Sequence, residues 1–164
     1  MKALTIWQPW ASLIMIGAKP NEFRKWDYRY RNPKIMGERI AIHAGAREIR
    51  PTEIMRLLTE LERGYGSLIP ARALPLLRRV AAAYKCQHVL ELGAVLGSAI
   101  IGRPFKVEHF APDSDRVSHH LWAWPMLDVE VYPEPIPTKG LQGFWNFSLG
   151  PTEAIVPTRS ALLP

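Results

Sequence analysis

The sequence is short of several things, and each shortage excludes a class of protein. It has a single cysteine, Cys86, in 164 residues. That excludes an internal disulfide and any zinc site built on paired cysteines. Its five histidines are His43, His88, His109, His119 and His120. No two of them stand four residues apart, the spacing that puts two ligands on one helix face. Neither a metal nor a cofactor is expected. No apolar run reaches the roughly 18 to 20 residues that a membrane-crossing helix needs. The opening "MKALTIWQPW" has one Lys and no long apolar core before a small-residue cleavage site, unlike a secretory leader. The expectation is a cytoplasmic protein with no membrane partner.

Acidic residues are also in deficit. Fifteen Asp and Glu face 21 Lys and Arg, which gives a net charge of +6 and a pI of about 9.7. A basic surface favours a polyanionic partner, although a charge of this size also serves solubility alone. What remains is ordinary for a folded domain: 48% hydrophobic and 22% charged residues, enough apolar material for a core. The length suits one domain.

The local patterns predict an α+β fold. "KALTIWQ" (2–8) reads as a strand, and Pro9 suits the first turn of a helix, where its missing N–H costs nothing. "PWASLIMIG" places Trp10, Leu13 and Ile14 at helical spacing, with Gly17 as the stop. Residues 22–30 alternate as a strand, and 38–43, "ERIAIH", form another. Residues 51–63 put Ile54, Leu57, Leu58 and Leu61 on one helical face, between Pro51 and Gly64. A second helix is expected from about Pro75 to Tyr84, with Arg78, Arg79 and Lys85 on its outer face. Residues 92–107 carry glycines at 93, 97 and 102, which suit a strand that bends as at a barrel corner. "LWAWPMLDVEVY" (121–132) reads as a strand with a bulge or edge at Pro125, "PEPIP" as an extended connector, and "GFWNFS" (143–148) as a last short strand. Trp122, Trp124 and Trp145 are expected to pack the barrel or its rim, and Cys86 to be an inert thiol. Helices grouped between short strands suggest a small barrel with helices packed on it.

The stretch "IGAKPNEFRKWDYRYR" (16–31) carries the chemistry. On a strand from 22 to 30, Glu22, Arg24, Trp26, Tyr28 and Tyr30 share one face. Charges beside aromatics are rarely buried unless paired. Lys19, Glu22 and Arg24 therefore either form an ion pair that ties helix to strand, or meet in a cleft where a ligand completes them. In the second case Trp10 and Gln8 stand on the rim. An indole offers a face for a base to stack on, and an amide can read a base edge.

These residues resemble the opening signature of the ASCH domain family, in the PUA-like superfamily. The matching positions are Gln8, Pro9, Trp10 and Ala11, then Gly17, Lys19, Glu22 and Arg24. "RIAIHAGAR" is similar to the family's next strand and "GAVLGSAIIG" to its central one. "PEPIPTKGLQGFWNF" resembles its closing segment, through Pro135, Ile136, Pro137, Lys139, Gly140, Gly143, Phe144 and Trp145. The resemblance covers roughly residues 2–45 and 92–148. It implies one domain over residues 1–150 with a helical insertion at about 46–90, followed by a tail, 151–164. The implied fold is a small PUA-like β-barrel with helices around it, and the implied partner is RNA, a nucleotide or a nucleoside.

The resemblance also offers a hydrolytic alternative. Some family members are described as ribonucleases, and small relatives hydrolyse N4-acetylcytidine with a Lys, a Thr and a distant Glu. Lys19 matches that Lys, but Glu22 stands where the Thr would be, so an acyl-enzyme on that residue would be an anhydride. A Lys19/Glu22 pair acting instead on water would make a metal-independent amidohydrolase, with Glu91 or Glu108 as a third group. A ribonuclease would use Lys19 and Arg24 on the phosphorane, and His43 or Glu22 on the 2′-hydroxyl. His43 and Lys139 complete the expected ligand-binding set. Equally, His43 closes a turn and Lys139 sits in one.

Overall fold

The computed structural model describes residues 1–83, 89–107 and 122–148. The expectations for Tyr84, Lys85, Cys86, His88, Glu108, His109, His119, His120 and the 151–164 tail lie outside these residues. Within them the chain forms a mixed α+β structure. A curled seven-stranded sheet makes a half-barrel, and three helices pack with it.

Strand β1 (Lys2–Ile6) leads into helix α1 (Trp10–Met15), and strand β2 (Asn21–Arg24) follows. Next come β3 (Arg39–Ala44), α2 (Pro51–Glu62), α3 (Pro70–Ala82), β4 (Ala94–Ile101), β5 (Phe105–Lys106), β6 (Trp122–Pro137) and β7 (Phe144–Asn146). The sheet order is β2-β6-β4-β3-β1-β7, with β5 added beside β6. β1 and β3 run parallel, and every other neighbouring pair is antiparallel.

α1 is short and almost entirely interior. Trp10, Ala11, Leu13, Ile14 and Met15 are all buried. Its exit is fixed by two amides, Ala18 and Lys19, which both donate to the Leu13 carbonyl, at 2.8 and 2.9 Å. That hook delivers Lys19 to the start of β2. Helix α2 buries the four residues its periodicity predicts, Ile54, Leu57, Leu58 and Leu61. Trp124 is buried in the half-barrel, stacked on Phe144 with ring centroids 5.6 Å apart.

Besides small shifts at strand ends, four elements differ from the sequence expectation. The strand expected over 22–30 ends at Arg24. There Asp27 accepts the Arg29 N–H at 2.9 Å and starts a 3₁₀ turn, Tyr28–Tyr30, while its carboxylate also grips the Arg29 guanidinium. Trp26, Tyr28 and Tyr30 therefore do not share a face with Glu22 and Arg24. Tyr28 is buried, with its hydroxyl donating to the Gly102 carbonyl at 2.7 Å, whereas Tyr30 is exposed. Burial pushes the Tyr28 phenol up to about 12. Helix α3 starts at Pro70 rather than Pro75. Ile69 precedes it in extended conformation, and Pro75 is carried inside the helix. The stretch 92–107 breaks into β4 and β5 around Arg103 and Pro104. Finally, "PEPIP" is not a connector but the end of β6.

The bend expected in the glycine-dotted strand is present. The β4–β6 register shifts between Val95 and Gly97, and again between Ser98 and Ile100. At Gly97 the two backbones come so close that a Cβ would lie 2.2 Å from the Glu130 carbonyl oxygen. Any side chain there would force the strands apart. Asp128, the extra residue of the second shift, has φ 42°, and it is tied to Arg39 by an ion pair.

Candidate functional site

Two polar clusters sit near the N-terminal motif, and they differ in access to solvent. The first is sealed. The Lys19 ammonium lies 2.6 Å from Glu22 Oε2 and 2.7 Å from the Asn21 carbonyl it donates to. Its Nζ also lies 5.2 Å from the Phe23 ring centroid. Lys19 is 1% exposed and Glu22 2%. The other Glu22 oxygen, Oε1, is 2.8 Å from an Arg24 nitrogen. One carboxylate thus holds two cations. The arrangement answers the cost of taking charges out of water, because each buried charge has an opposite partner at contact distance.

Arg24 faces the other way. The nitrogen that meets Glu22 also donates to the Thr5 carbonyl at 3.3 Å. Its Nε is buried without a hydrogen-bond partner. Its guanidinium lies 5.9 Å from the Trp124 ring centroid, and the side chain keeps 19% of its surface exposed. That surface forms part of the wall of a cavity of about 910 Å³.

The cavity is the second cluster. Its lining comes from the ends of β1 and β3 (Thr5, Trp7, His43, Gly45, Ala46), from Arg24 and Gly93, and from the segment Pro137–Gly143 between β6 and β7. Parallel pairing of β1 and β3 sets Thr5 opposite His43. No carboxylate lines the cavity among the described residues, while Arg24 and Lys139 do. Trp7 is half-buried, and the Arg47 guanidinium lies 4.1 Å from its ring centroid. Glu53 holds that guanidinium through two hydrogen bonds of 3.0 and 2.9 Å.

The 138–143 loop is tied to the cavity floor. His43 Nε2 is 2.9 Å from the Thr138 carbonyl, which can only accept, so that nitrogen carries the proton. Thr5 Oγ1 donates to the Leu141 carbonyl at 2.6 Å, accepts from Trp145 Nε1 at 3.0 Å, and lies 3.2 Å from His43 Nδ1. Gly140 packs against the imidazole, where a Cβ would stand 2.2 Å from Cε1. Burial pulls the His43 pKa below its ordinary value of 6.5, and the Thr138 contact opposes this more weakly. Both ring nitrogens thus meet groups that tie the loop to β1 and β3.

Of the expected site residues, Arg24, His43 and Lys139 line one cavity. Lys19 and Glu22 lie behind it, spent on each other and on Arg24. Gln8 and Trp10 do not stand on a rim, for both are fully buried. Gln8 Nε2 donates to Ser12 Oγ at 2.8 Å and to the Glu91 carbonyl at 2.9 Å, and its Oε1 accepts the Ser12 N–H. Trp10 belongs to the main core. The hollow expected beside α1 lies instead on the far side of Arg24. Sequence reasoning missed Thr5 and Trp7. Their signal was their place at the end of the strand paired with the one carrying His43. Among the described residues no group of three His, Cys, Asp or Glu could hold a metal ion, and no helix is long and apolar enough to cross a membrane. No protein-family model matches the chain, and no curated protein matches it either.

Proposed function

We propose that the chain is an ASCH-like domain of the PUA-like kind that binds RNA or a nucleotide in the cavity between the β1 and β3 ends and the 138–143 loop. One observation carries this reading: a cavity of about 910 Å³ whose charged lining is two cations, Arg24 and Lys139, with no carboxylate. A phosphate-bearing ligand gains from both cations and meets no lining carboxylate to repel it. The half-buried Trp7 and the exposed Gln142 supply apolar contact and hydrogen bonding for a base. The net charge of +6 acts in the same direction at longer range.

Binding without chemistry is the favoured form. A Lys19/Glu22 hydrolase needs those groups to touch the substrate, and both are sealed at 1% and 2% exposure. His43 is the remaining general-base candidate, and its two ring nitrogens face Thr138 and Thr5. The test is calorimetric titration of the protein with short single-stranded RNA, cytidine and N4-acetylcytidine, with chromatography of each mixture after long incubation. The reading expects saturable, salt-dependent RNA binding and intact ligands. Absence of RNA binding at low salt would overturn it, and cleaved RNA or released acetate would replace it with the hydrolase.

A further inference from the structure

The lining of the cavity is not uniform, and the difference lies in the backbone of the 138–143 loop. Two of its carbonyls turn to the floor: Thr138 to His43 and Leu141 to Thr5. In a trans peptide the N–H points opposite to the C=O of the same unit. The Lys139 and Gln142 amides are therefore turned away from the floor. Neither donates in any backbone hydrogen bond among the described residues, whereas the neighbouring Thr138 amide donates to the Gly93 carbonyl at 2.9 Å. The Lys139 side chain is exposed on the same loop, and Arg24 lines the same cavity. Arg24 cannot swing away cheaply, because Glu22 and the Thr5 carbonyl hold it.

We propose that the 139–142 backbone, the Lys139 ammonium and the Arg24 guanidinium form a phosphate subsite. It rests on the nucleotide-binding reading above and adds where the anion sits. Outward amides with two cations and no lining carboxylate make an electropositive concavity suited to one tetrahedral oxyanion. The anion accepts from the Lys139 and Gln142 amides and the Lys139 ammonium, and the Arg24 guanidinium adds its charge from the cavity wall. The same chemistry is offered by the monoester of a free nucleotide and by a phosphodiester within RNA. His43 and Thr5 make no contact with the anion. They keep the two carbonyls down, so that the two amides face out.

The test uses the full chain labelled with ¹⁵N and titrated with inorganic phosphate at constant ionic strength, then with cytidine, cytidine 5′-monophosphate and a cytidine dinucleotide. Phosphate is expected to shift the Lys139 and Gln142 amides and the Arg24 side chain saturably. The two phosphate-bearing cytidines are expected to bind tighter than cytidine. Whichever of the two binds better identifies the source of the anion, and either ranking supports the subsite. Lys139→Gln is expected to weaken phosphate about tenfold, and Arg79→Gln, an equal loss of charge on the exposed face of α3, to leave it unchanged. Lys139 is a surface residue, so the result does not depend on whether Arg24→Gln folds. Shifts spread over the surface, or equal losses in the Lys139 and Arg79 variants, would overturn the subsite. RNA binding that persists in that case would leave the nucleotide-binding reading standing without it.

Discussion

The Lys19–Glu22 cluster and the Thr5–His43–loop cluster are both polar, both meet Arg24 or its neighbours, and both arise from motif-like stretches, yet they do opposite things with their hydrogen bonds. In the first, the Lys19 ammonium and the Glu22 carboxylate are spent on each other nearly out of water, and Glu22 also anchors Arg24. In the second, the interior bonds are made by Thr5, His43 and the loop carbonyls, and Lys139 and the exposed part of Arg24 are left at a cavity wall. The lesson is about which residues of a signature touch a ligand. Buried ionic residues set position, since breaking their pairs costs far more than their presence gains. On the proposed reading, contact falls to residues whose bonding is incomplete, here Arg24 and the outward amides.

The largest effect separating the two clusters should come from Glu22→Gln. It leaves the Lys19 ammonium buried with no carboxylate partner, and urea denaturation should show a loss of about 3–5 kcal/mol. A change under 1 kcal/mol would mean that the pair is wetter than its burial implies. Next comes Arg24→Gln, which removes a charged contact from the cavity. RNA affinity should fall by about 1.5–3 kcal/mol, tenfold or more, by calorimetry at low salt. Unaltered affinity would place the ligand elsewhere.

Gly140→Ala should cost about 1–3 kcal/mol, because its Cβ would lie 2.2 Å from the His43 ring and lift the loop. Thermal unfolding would measure that cost, and RNA affinity should drop with it. The smallest effect is the pH dependence of His43. Its folded-state pKa is lowered, so the native protein binds fewer protons there than the unfolded chain does. Stability from this group is complete above the unfolded value of about 6.5 and is lost as pH falls below it towards the lowered one. Urea midpoints between pH 7.5 and 5 should show a shallower decline for His43→Gln than for the parent. Equal slopes would deny the effect of its burial.

Much of the fold was legible in the sequence because its signals are local. The 3.6-residue period of α2 needs no tertiary information. Gly97 marks the bend because its backbone meets Glu130. The strand expected over 22–30 failed for an equally local reason that alternation hides: Asp27 and Arg29 pair two residues apart and close a turn. The site was legible as residue types but not as directions. Lys19, Glu22 and Arg24 do come together. Which side of Arg24 opens to solvent depends on β1, β3 and the 138–143 loop meeting over contacts nearly 100 residues and more apart, such as His43 with Thr138 and Thr5 with Leu141. Likewise nothing local told Gln8 and Trp10, which turn into the core, from Thr5 and Trp7, which line the cavity.

The division between supporting and contacting cations is tested most directly by the salt dependence of RNA affinity in the parent, Lys139→Ala and Lys19→Met, read by fluorescence anisotropy on one short single-stranded RNA. Each phosphate contact on a single strand contributes about 0.7 to the slope of log affinity against log salt. The account predicts that Lys139→Ala loses about that much while Lys19→Met, if folded, keeps the parent slope. A slope lost in Lys19→Met and kept in Lys139→Ala would contradict it.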